Sequence, residues 1–132
     1  MKQSLRTALF IASALLMMFG AVENAFVVVP DLHGDLVEIG VRPTVLGGTV
    51  LRLYFGALAM FGFAVMVSAA AIQAIHGIAP ARLPLAVIAV IDTAFGIMAF
   101  SRSHNPHHLG PLVMGVLLGA ALAIPGSKRS LT

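Results

Sequence analysis

Apolar residues fill four long stretches of the chain, Leu5 to Val29, Leu53 to Ile75, Leu83 to Phe100 and Leu109 to Ile124, and most of the charge, proline and histidine falls between them. Stretches of this length without alternation of apolar and polar positions predict helices that are hydrophobic on every side, the pattern of a transmembrane helix. With interfacial residues included, the predicted spans are about 5–29, 49–75, 83–101 and 106–125, with an outer loop over 30–48. The expected fold is all-α, an integral membrane four-transmembrane-helix bundle forming a single domain over residues 1–132. The run from Leu53 to Ile75 alone reaches about 35 Å at 1.5 Å per residue, enough to cross a ~30 Å hydrocarbon core with some tilt.

Two helix ends need separate argument. Lys2 and Arg6 ahead of an apolar core resemble the start of a cleaved signal peptide, but the small-residue cleavage pattern is missing. A cut after Ala25 puts Glu23 three positions before it, and one after Ala21 puts Phe19 there, so the first run is read as a retained helix. In "SHNPHHLGP" (103–111), Asn105 followed by Pro106 is a good helix start, which predicts a fourth helix beginning at Pro106. Pro111 then kinks that helix by crowding the carbonyl of His107. A start at Pro111 would leave a helix of only about 20 Å, too short to span.

Composition supports the bilayer as solvent: 59% of residues are hydrophobic and 10% charged, and the mean hydropathy is +1.00. A soluble domain of this size could not bury that much apolar surface. The net charge of +3 comes from basic residues scattered between the apolar runs, which makes it an orientation signal and excludes a nucleic-acid-binding stripe. With both termini on the cytoplasmic side, Lys2, Arg6, Arg82, Lys128 and Arg129 lie inside and Arg42, Arg52 and Arg102 outside, in line with the positive-inside rule. The outer side also collects Asp31, His33, Asp35 and Glu38. The absence of cysteine excludes disulfides, zinc-thiolate sites and cysteine nucleophiles.

A charged side chain in the middle of an apolar membrane helix costs on the order of 3 kcal/mol, so such residues mark candidate sites. Asp92 sits midway along "LPLAVIAVIDTAFGIMAF", Glu23 and Asn24 lie in the outer part of the first span, and Arg52 and Tyr54 open the second. One reading pairs Glu23 with Arg52 across adjacent antiparallel helices and buries Asp92 in the bundle. A second places Glu23, Arg52, Tyr54 and Asp92 around one outward-opening cavity, where a carboxylic acid could protonate an apolar substrate. A third lets Arg52 and Tyr54 snorkel to the headgroups. Glu23, Asp92 and Arg52 are thus the candidate catalytic residues, and Asn24, Tyr54, His104, His107 and His108 the candidate ligand-binding residues.

His107 and His108 are expected in the first turn of the fourth helix, about 100° apart, and so unable to share one metal easily. A metal site would need His104 with one of His107 and His108, and further ligands from His33, Asp31 or Asp35 in the outer loop. A polar interfacial loop, pH sensing and haem ligation are the other readings of this stretch; no metal ligand is assigned and no cofactor is expected. Small residues at Gly115, Gly119 and Ala123, and at Gly56 and Ala59 beside Met60 and Phe63, predict close helix contacts within the monomer.

The segment "LRLYFGALAMFG" (51–62) resembles the second helix of a family of small, functionally uncharacterised four-helix bacterial membrane proteins, distantly DoxX-like, in which Arg-x-x-Tyr-Gly-Gly opens that helix. Arg52 and Gly56 match, while Phe55 replaces the tyrosine and Ala57 the second glycine. The resemblance implies a four-span fold in a bacterial inner (cytoplasmic) membrane and carries no assigned reaction. The expected function is an accessory subunit of a larger membrane complex, or a binder of a lipid-like hydrophobic ligand, with the bilayer, a complex or homo-oligomer and a lipid-like small molecule as partners. The alternative is an intramembrane isomerase or cyclase, with Glu23 or Asp92 as proton donor and Arg52 as anion stabiliser. A transporter is disfavoured, because the chain lacks a repeated pair of broken helices.

Overall fold

A computed structural model describes residues 2–125; the terminal cations Lys128 and Arg129 lie outside the described residues. Those residues form helices joined by short turns, with no strand among them: α1 Lys2–Glu23, a π-helical turn Asn24–Val28, α2 Val29–Glu38, α3 Pro43–Ile75, α4 Arg82–Ser103, a 3-10 turn Pro106–His108 and α5 Leu109–Ala123. α1, the π turn and α2 run on as one helix from Lys2 to Glu38.

This corrects the predicted outer loop over 30–48. Pro30 was the reason to end the first helix, since proline lacks an N–H and crowds the carbonyl four residues back. Here the ladder widens just before Pro30, with Val29 N–H reaching back to the Asn24 carbonyl, and the π turn over Asn24–Val28 absorbs the proline without ending the helix. Only Ile39–Arg42 separates α2 from α3. Gly40, at φ +74°, ends α2 by donating to the Val37 carbonyl at 3.0 Å while Val41 donates to Leu36 at 3.1 Å, a Schellman pair. Gly77, at φ +72°, ends α3 in the same way, with its own N–H on Ala74 and that of Ile78 on Gln73.

The fourth helix also differs from expectation. The α-helix starts at Leu109, after a 3-10 turn over Pro106–His108, so Pro111 sits in its first turn and breaks no ladder bond. The predicted kink is therefore not needed.

The helices form a row in the order α3, α1, α5, α4: α1 packs on both α3 and α5, α4 packs on α5, and α4 meets α3 only slightly. Phe10, Val67 and Leu118 are fully buried where α1, α3 and α5 meet. The α3 face is built from Ala57, Ala64, Ala70, Ala71 and Ala74, small side chains that let it lie close to α1. The α4–α5 seam is tighter. A Cβ at Gly96 would come within 2.7 Å of Leu112 Cα, and one at Gly115 within 2.6 Å of Thr93 N and 2.7 Å of the Ala89 carbonyl. Of the predicted small-residue face, Gly115 is in that seam, whereas Gly119 has open space beside it and Ala123 is exposed.

Lys2–Glu38, Pro43–Ile75 and Arg82–Ser103 are long and apolar enough to cross a membrane, and Leu109–Ala123 is apolar but shorter. Large apolar side chains line the outside of the row: Phe19 is 67% exposed, Phe55 72% and Leu83 77%. A soluble surface rarely presents apolar area on this scale, so these helices suggest a membrane protein.

Candidate functional site

Two shallow grooves run along α3 and meet at Tyr54. One, of about 370 Å³, lies between α2 and the start of α3, with His33, Pro43, Leu46 and Val50 in its walls. The other, of about 270 Å³, lies between the end of α1 and α3, lined by Ala21, Ala25, Phe26, Leu58 and Phe61. The π turn sets the wall of the second groove by placing Ala25 and Phe26 opposite α3. The lining is almost wholly apolar, with the Tyr54 hydroxyl and the His33 ring as its polar groups.

Glu23 and Arg52 do not form the expected ion pair. Asn24, next to Glu23, donates to Met60 Sδ at 3.4 Å, which fixes the level of this part of α1 against α3. Arg52 stands eight positions earlier on α3, about 12 Å away along the axis. It is exposed, and Glu23 is half-buried. Equal depth, which the pairing required, is lost because the first helix continues beyond Pro30 and shifts its partner register outward.

Asp92 is separated from both. It is half-buried, beside the α4 stripe of Leu85, Ile88, Ala89 and Gly96 that packs on α5 and next to the exposed Ile91 and Phe95. α4 makes no packing contact with α1. Neighbouring Thr93 returns its hydroxyl to the Ala89 carbonyl at 2.7 Å, a back-bond within its own helix. Asp92 makes no hydrogen bond or ion pair with any described residue, and it lines neither Tyr54 groove. The four-residue cavity of Glu23, Arg52, Tyr54 and Asp92 is thus not assembled.

The histidines take structural positions. His104 ends α4 in the left-handed region at φ +53°, its N–H on the Phe100 carbonyl at 2.8 Å and its ring 6.1 Å from that of Phe100. Asn105 N–H donates to Ser103 Oγ at 3.2 Å, and His108 N–H to the Asn105 carbonyl at 3.0 Å, which closes the 3-10 turn containing His107. Asp31, His33 and Asp35 are on α2, which packs on the π turn and α3, while the 3-10 turn packs on α4 and α5. The two halves of the imagined metal site therefore sit on different parts of the row. Among the described residues, no group of three or more His, Asp or Glu side chains could hold a metal ion.

One group that the sequence did not mark as a candidate site residue is enclosed. Arg6 is 4% exposed, its guanidinium 5.5 Å from the centre of the Phe10 ring. A desolvated cation–π contact gives about 2 kcal/mol, whereas an unpaired buried ion costs several kcal/mol. The position of Arg6 on the face shared with Phe10, four residues on, was the available signal.

No protein-family model, curated protein or solved structure matches this chain.

Proposed function

We propose that this chain is a non-catalytic subunit of a membrane assembly, crossing the bilayer four times and docking on a partner helix through the face of α4 that carries Asp92. One observation carries the reading: a carboxyl midway along an apolar helix has no polar partner among the described residues of its own chain. Such a group in hydrocarbon costs on the order of 3 kcal/mol, and a donor on a neighbouring helix offsets that cost. Length supports the fourth crossing. α5 spans about 22 Å, and the 3-10 turn before it adds about 6 Å, close to the ~30 Å core. The continuous helix from Lys2 to Glu38 is about 55 Å long, so α2 and the start of α3 project beyond the bilayer as a helical hairpin carrying Asp31, Asp35 and Glu38. The distant DoxX-like resemblance and a bacterial inner membrane with both termini cytoplasmic fit this proposal.

A second reading rests on the Tyr54 grooves: a lipid-like hydrophobic ligand lying along α3 with its polar end at Tyr54 and His33. The acid-catalysed isomerase or cyclase loses support, because Asp92, Glu23 and Arg52 do not surround a common space.

The test is the size of the assembly extracted from native membranes in mild detergent. Wild type and Asp92→Asn, which keeps a hydrogen-bonding side chain, are expected in a species well above the 13.7 kDa chain; Asp92→Leu is expected to release it. An assembly indifferent to Asp92→Leu refutes the docking face. Loss of a deletion-complementing phenotype in Asp92→Asn with the assembly intact would instead favour proton transfer.

A further inference from the structure

The end of the row opposite the α2–α3 hairpin gathers basic and polar groups. Gln3 Nε2 donates to the Ala74 carbonyl at 3.5 Å, which sets the start of α1 against the end of α3. Arg82, at the start of α4, donates to the Leu122 carbonyl in the last turn of α5. Arg6 belongs to the same end and has no such acceptor. Its Nε is buried without a hydrogen-bond partner, and so is Gln3 Oε1, three residues away on α1. Arg6 Nε and Gln3 Oε1, a buried donor on a cation and a buried acceptor about one helical turn apart, thus have no hydrogen-bond partner among the described residues.

The chain's acids do not supply the anion. Its five acidic side chains are Glu23, Asp31, Asp35, Glu38 and Asp92. Glu23 is about 25 Å from Arg6 along α1, the next three are on α2, and Asp92 is midway along α4. Helix C-termini nearby favour a cation, but those of α3 and α5 give their carbonyls to Gln3 and Arg82, not to Arg6.

We propose that Arg6 and Gln3 form a binding site for the headgroup of an anionic phospholipid, the phosphodiester engaging the Arg6 guanidinium and a headgroup hydroxyl donating to Gln3 Oε1. A guanidinium suits a phosphate geometrically. The need for a donor alongside the anion selects a hydroxylated headgroup such as phosphoglycerol over a bare phosphate. The site lies where headgroups lie, at the end of helices that cross the bilayer. It rests on the membrane reading and is independent of Tyr54 and of Asp92.

The experiment measures lipid retention by native mass spectrometry on the purified full chain after exchange into mixed micelles of phosphatidylglycerol and phosphatidylcholine. Wild type is expected to retain phosphatidylglycerol about tenfold over phosphatidylcholine: both carry the phosphodiester, but the choline cation offsets its charge beside Arg6 and offers no hydroxyl to Gln3 Oε1. Arg6→Gln brings the ratio to parity, Arg6→Lys keeps part of it, and Gln3→Leu lowers it while leaving the protein folded. Arg82→Gln and Tyr54→Phe leave it unchanged. Equal retention of the two lipids by wild type overturns the proposal, as does a preference that survives Arg6→Gln. So does displacement of the lipid by millimolar inorganic phosphate, which would assign the site to a free anion. Because wild type and Gln3→Leu are read directly, instability of Arg6→Gln leaves the outcome decided. A failure here with the Asp92 assembly intact sinks this site alone.

Discussion

At the scale of single residues, the histidine stretch shows how backbone geometry displaces an apparent chemical site. A cluster of three histidines invites a metal, yet His104 occupies the one non-glycine left-handed position among the described residues, and its job there is to end α4. A non-glycine residue pays about 1–2 kcal/mol for that conformation, and a β-branched one more. Replacing His104 with Gly is therefore expected to hold or raise the thermal midpoint, and His104→Val to lower stability by about 1–2 kcal/mol. A folded His104→Gly protein that loses its cellular role would show that the ring matters chemically. Arg6 teaches the reverse lesson: its charge was legible, but its burial depends on how α1 packs between α3 and α5, which the spacing to Phe10 hints at without fixing.

Among the elements, helix existence was legible and helix ends were not. The apolar runs located α3 and α4 within a few residues at their inner ends, because the left-handed turn at Gly77 and the change to polar residues coincide there. Pro30 and Pro111 misled in the same way. Each was read as a break or kink, but the π turn ahead of Pro30 absorbs it within a continuous helix, and Pro111 lies in the first turn of α5, where proline is tolerated. The small-residue signal found Gly115 but not its counterpart Gly96, although Ala89, Thr93 and Gly96 lie on one face of α4 at helical spacing. This assigns unequal roles to chemically identical glycines. Gly96→Val is expected to cost about 3 kcal/mol or more, since the obstacle is the Leu112 backbone and not a movable side chain. Gly119→Ala, with open space around it, is expected to change stability by no more than about 0.5 kcal/mol. Thermal unfolding in detergent reads both; equal sensitivity at the two positions would contradict the α4–α5 seam described here.

For the whole molecule, composition and run length were enough to indicate helices long and apolar enough to cross a membrane, because that inference uses only length and hydropathy. The order of the row was not accessible, and it is this order that decides the candidate site. With α1 between α3 and α5, and α4 at the far edge, Asp92 is kept away from Glu23 and Arg52, and the docking proposal takes it as a point of attachment instead. Photo-reactive residues along the helices test this most directly. Ile91 and Phe95 flank Asp92 and are 45% and 50% exposed, while Leu15 and Phe19 on α1 are 66% and 67% exposed. If exposure to lipid alone governed capture, α1 would be at least as reactive as α4. The docking account predicts a discrete protein adduct from positions 91 and 95, weak or absent at 15 and 19, kept in Asp92→Asn and lost in Asp92→Leu. Lipid adducts alone at all four positions, or a protein adduct unaffected by Asp92→Leu, would contradict it.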